Sequence, residues 1–86
     1  MAKPLTFYSL DVLGNPLLKD MVETWGHGLD EMSEVDTVWL MARISHAAFI
    51  EEPSDEPQSD EAEEVFNRLH ELSYHEKLRL LQALAA

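Results

Sequence analysis

Residues 33–50 read SEVDTVWLMARISHAAFI, and the reading of this stretch decides the fold. Its apolar side chains recur at three- and four-residue intervals, the repeat of a helix. Ser33 stands where a helix cap would, with Asp36 three residues on as a weak capping-box partner, and the pattern runs to about Ile50. On a helical wheel Val35, Val38, Trp39, Ala42, His46 and Phe49 cover one side, and Leu40, Met41, Ile44, Ala47 and Ala48 cover much of the other. A helix apolar nearly all round is expected to be buried nearly all round. The stretch therefore predicts a central helix, or one with a face in the monomer core and a face in a subunit interface.

Outward from this segment, the pattern repeats. Asn15 and Pro16 read as a cap and first helical residue and Gly26 as a terminating glycine, bracketing PLLKDMVETW with Leu17, Leu18, Met21, Val22 and Trp25 on one face. A third helix is expected near Asp60, with Glu63 completing its capping box, Ala62, Val65, Phe66, Leu69 and Leu72 as its stripe, and Glu64 pairing with Arg68. A fourth begins after Ser73, which with Glu76 forms S-x-x-E ahead of Tyr74, Leu78, Leu81 and Ala85, widened by Leu80 and Leu84. Between helices two and three, residues 51–59 hold two prolines and a dense run of acids, predicting a mobile, solvated acidic linker.

The N-terminal arm, 1–14, supports two readings. Tyr8, Leu10 and Val12 alternate with Ser9 and Asp11 as in a strand, while Ser9 through Gly14 could be a capped helical turn. A lone strand would need another copy or another protein to pair with.

Composition bounds the rest. With 86 residues, 45% hydrophobic and 27% charged, the chain suits one all-α domain, a small bundle of about four helices. It has no cysteine, which excludes disulfides, thiolate metal sites and a thiol nucleophile. The net charge is −11, and eight of the 17 acids fall within residues 51–64. Direct binding to nucleic acid or an anionic membrane is disfavoured, and a basic protein partner is favoured. The acid-free run 37–50 is too short to span a bilayer, and no signal-like apolar run opens the chain, so a cytoplasmic location is expected.

Catalytic constellations are hard to find. His70, Glu71 and His75 suggest a zinc hydrolase motif, but HELSYH places the histidines five apart, about 140° round a continuous helix, rather than four. The cap at Ser73 explains the segment more simply. His46 reads as a core or interface residue and His27, between Gly26 and Gly28, as a turn residue. Most of the serines are caps or linker residues, and the three glycines form no phosphate loop. The aromatic residues Trp25, Trp39, Phe49, Phe66 and Tyr74 are expected in the core.

These observations point to a non-enzymatic protein-interaction or regulatory module without cofactor, homo-oligomeric or bound to a basic protein. Its candidate contact residues are Phe7 and Tyr8 in the arm, and Trp39, Leu40 and Ile44 on the second helix. Two alternatives carry less of the pattern: an acidic decoy occupying the nucleic-acid site of a basic protein, and a metal-dependent enzyme using His70, Glu71 and His75.

Overall fold

The computed structural model describes Leu5 and residues 10–85. It is all-α, with helices α1 (Pro16–Trp25), α2 (Glu34–Glu51), α3 (Asp60–Asn67) and α4 (Tyr74–Ala85), and a 3-10 turn at Leu69–Glu71 between the last two. No strand occurs among the described residues. The chain divides into two compact units, Met1–Glu52 and Pro53–Ala86, and the boundary falls inside the acidic stretch.

In the first unit, α1 starts and stops on local chemistry. Asn15 leaves the helical conformation and its side-chain oxygen accepts from the Leu18 N–H at 3.1 Å, while Pro16 occupies a position whose N–H would go unused. The helix ends at Gly26, whose φ of 87° favours glycine and whose N–H donates to the Val22 carbonyl at 2.8 Å. Leu18, Met21, Val22 and Trp25 are half-buried, as the stripe predicts, whereas Leu17 at the first turn is exposed.

Residues 6–9, over which the two readings of the arm chiefly differ, lie outside the described residues. Residues 12–14 form a turn in which Asp11 Oδ1 accepts the Gly14 N–H at 2.9 Å, so of the two readings the strand does not hold at Leu10 and Val12. A Cβ at position 14 would run into the Asp11 carboxylate. Leu5 and Val12 are the buried residues of the described structure, and the Leu5 N–H donates to the His27 carbonyl at 3.1 Å. The arm is thus tied to the loop after α1. Phe7 and Tyr8 lie outside the described residues.

Helix α2 forms as predicted, with Ser33 Oγ accepting the Asp36 N–H at 3.1 Å. Its expected burial is not observed. Val38, Leu40 and Met41 are half-buried, and every residue from Ala42 to Glu51 is exposed, His46 included. Among the described residues α1 makes no extended contact with α2, so the apolar circumference of α2 has no helix laid against it. The aromatics expected in the core are likewise corrected: Trp25 is half-buried, but Trp39, Phe49, Phe66 and Tyr74 are exposed.

In the second unit, α3 is capped one residue earlier than expected. Ser59 Oγ accepts the Ala62 N–H at 3.1 Å, and Glu63 accepts from the Gln58 side chain at 2.9 Å instead of closing a box on Asp60. The helix stops at Asn67, which changes the partner of Arg68. Its guanidinium turns forward and grips both oxygens of Glu71, at 2.6 and 2.8 Å, rather than reaching back to Glu64. At α4 the capping box is complete: Ser73 Oγ accepts the Glu76 N–H at 3.2 Å, and Glu76 accepts the Ser73 N–H at 2.9 Å.

Candidate functional site

The residues that raise the question of a metal site have local roles. Glu71 is held by Arg68, whose hydrogen bonds keep its carboxyl below the usual glutamate range. His75 lies edge-on to Tyr74, ring centroids 5.5 Å apart, in the first turn of α4, and His70 sits in the preceding 3-10 turn. The cap at Ser73 separates the two histidines, as the sequence indicates. Among the described residues no three His, Asp or Glu side chains are grouped to hold a metal ion.

The most distinctive surface of the molecule lies on α2. Val35, Trp39, Ala42, His46 and Phe49 are all exposed, Val35 at 78%, Trp39 at 58% and Phe49 at 62%, with Ile50 beside the last. Their spacing of four, three, four and three residues is the repeat that keeps an apolar seam facing a second helix. The Arg43 guanidinium stands 5.3 Å from the centre of the Trp39 ring, so the base of this stretch packs against the indole by cation–π attraction. At the N-terminal end, Trp39 and Leu40 meet Trp25 and Asp36 around a shallow depression of about 220 Å³.

Of the predicted contact residues, Trp39 and Leu40 therefore share one depression. Ile44 is exposed but lies about 140° round the helix from Trp39, so the two cannot serve one flat contact. Val35, Ala42, His46 and Phe49 complete the seam and were not among the predicted contacts. Their signal was the 4-3-4-3 spacing, which the same residues would also show if buried in a core.

A second apolar surface lies in the other unit, where Ala62, Val65, Phe66 and Leu69 face Leu80, Leu81 and Leu84 across a cleft of about 390 Å³. Lys77 is its one charged lining residue. The acids of the linker are spread along exposed chain without regular structure between Glu52 and Ser59. No helix among the described residues is long and apolar enough to cross a membrane.

No family model matches this chain, and neither a curated protein nor a solved structure matches it.

Proposed function

We propose that this chain is a protein-interaction module without catalytic activity, working through the exposed face of α2. The observation that carries this reading is the seam from Val35 to Phe49, in which exposed Val35, Trp39, Ala42 and Phe49 stand with His46 at coiled-coil spacing on a capped helix. Contiguous apolar surface of this kind is costly to leave in water and marks contact sites. Trp39 supplies the large, amphipathic anchor that interfaces favour, and Arg43 holds it in place. Glu71 is engaged by Arg68, and Ser73 with Glu76 caps α4 between His70 and His75, which supports reading this segment as a helix junction.

The test uses the full chain with Trp39 and Phe49 each replaced by aspartate. Light scattering after size exclusion measures self-association, and affinity capture from native lysate measures partners. The wild type should associate with itself or retain a protein that W39D and F49D lose, with both variants keeping wild-type helicity by circular dichroism. A wild type that is monomeric at all concentrations, and retains nothing the variants lose, sinks the reading.

A further inference from the structure

We infer that the depression at the N-terminal end of α2, lined by Trp25, Asp36, Trp39 and Leu40, binds a trimethylammonium group, presented as a methylated lysine on a basic protein segment. This rests on the interaction reading above and names the chemistry that one partner carries.

The site is assembled by spacing. Asp36, Trp39 and Leu40 stand at i, i+3 and i+4, so they share one face of α2, and Trp25 comes from the last turn of α1. Both tryptophans of the chain therefore line one depression, together with a single charge, and that charge is negative. Among the described residues the two indoles make no ring contact with each other, which leaves the space between them open. Asp36 gives its backbone N–H to the Ser33 cap at 3.1 Å, and its carboxylate has no partner among the described residues. Aromatic faces beside an uncommitted carboxylate attract a cation by π contact and by charge together.

Methylation then selects among cations. A primary ammonium brings three N–H donors and a tight hydration shell, and one carboxylate repays little of either. A trimethylammonium has no donor to leave unsatisfied, so indole faces serve it better. At about 220 Å³ the depression is smaller than the roughly 300–1,000 Å³ that encloses a whole small ligand, so it takes a headgroup whose carrier extends outside. Charge chooses the carrier: a net −11 draws a basic polypeptide and offers a zwitterionic lipid or a free betaine no long-range attraction.

Two positive features nearby are offset. The N-terminal pole of α2 is countered by Glu34 and Asp36 in its own first turn. Arg43, 5.3 Å from the centre of the Trp39 ring, stands one turn further along and is not part of the lining.

The probes are three short synthetic peptides of one basic sequence. Their central side chain is lysine, trimethyllysine, or the neutral isostere in which a tert-butyl group replaces the trimethylammonium. Each is titrated into the full chain, following peptide anisotropy and tryptophan fluorescence, which reports this site alone because both tryptophans line it. The trimethyllysine peptide should bind about tenfold tighter than either of the others. Raising salt should weaken the lysine and trimethyllysine peptides alike and leave their ratio standing. Asp36→Asn, which keeps the cap N–H, and Trp39→Leu, at an exposed position, should each narrow the margin over the neutral isostere while helicity by circular dichroism is unchanged. Leu13→Asp, exposed and outside the site, should leave it as it is.

Equal binding of the trimethyllysine peptide and either comparator, or a margin that D36N and W39L leave intact, overturns this inference. Fluorescence that responds to phosphatidylcholine vesicles and to no peptide overturns it as well, by giving the group a lipid carrier. In each case the interaction reading stands as long as W39D and F49D still lose an association that the wild type keeps. Absence of all binding by a monomeric chain that captures nothing overturns both.

Discussion

At Gly26 the backbone takes φ 87° and ψ 167°, a region that residues with a Cβ rarely enter. A Cβ there would have room, its nearest neighbour being Glu31 Oε2 at 3.5 Å, so the cost of Gly26→Ala lies in the backbone itself. The substitution should destabilise the chain by about 1–3 kcal/mol in a denaturant melt. The terminating role of this glycine was legible because little else ends a helix so cheaply. Leu29, a non-glycine residue at φ 59°, was not legible, since its conformation is imposed by bonds from its N–H to Gly26 and from Met32 to its carbonyl. Arg68 and Glu71 give the second prediction. The folded-state pKa of Glu71 is depressed by the Arg68 hydrogen bonds, so its contribution is present above the unfolded pKa and is lost as pH falls through the folded one. Arg68→Gln should move the Glu71 titration upward to the ordinary glutamate range, as followed by carboxyl NMR. Both side chains are exposed, so the titration moves more than the melting curve does.

The four helices were readable from their ends. Asn15, Ser33, Ser59 and Ser73 each offer a side-chain oxygen to a backbone N–H in the first turn, and that chemistry is local enough to be seen in a few letters. Ser73→Ala should therefore cost about 1 kcal/mol, measured as a loss of α4 helicity and of thermal stability, and Glu76→Gln, which can still accept, should cost less. The α3 start shifts by one residue because Ser59 and Asp60 are both competent caps, and Gln58 engages Glu63. The Arg68 pairing departs from expectation for a related reason. An i,i+4 rule holds only while the helix continues, and α3 has already ended at Asn67.

For the molecule as a whole, burial is scarce and unevenly placed. Leu5 and Val12 anchor the first unit, so Val12→Ala should cost about 1–2 kcal/mol, whereas Phe49→Asp, on an exposed face, should leave the melting temperature nearly unchanged while removing association. A calorimetric scan of both variants separates a residue that holds the fold from one that meets a partner. Helix positions, caps, the charge of −11 and the turn at Ser73 were determined by the sequence alone, because each depends on neighbours within a few residues or on a simple sum. Which apolar stripe is covered was decided only by the tertiary structure. Hydrophobic periodicity records that a face needs a neighbour, and whether one lies against it depends on how the helices are placed: among the described residues α1 makes no extended contact with α2, so its stripe stays open.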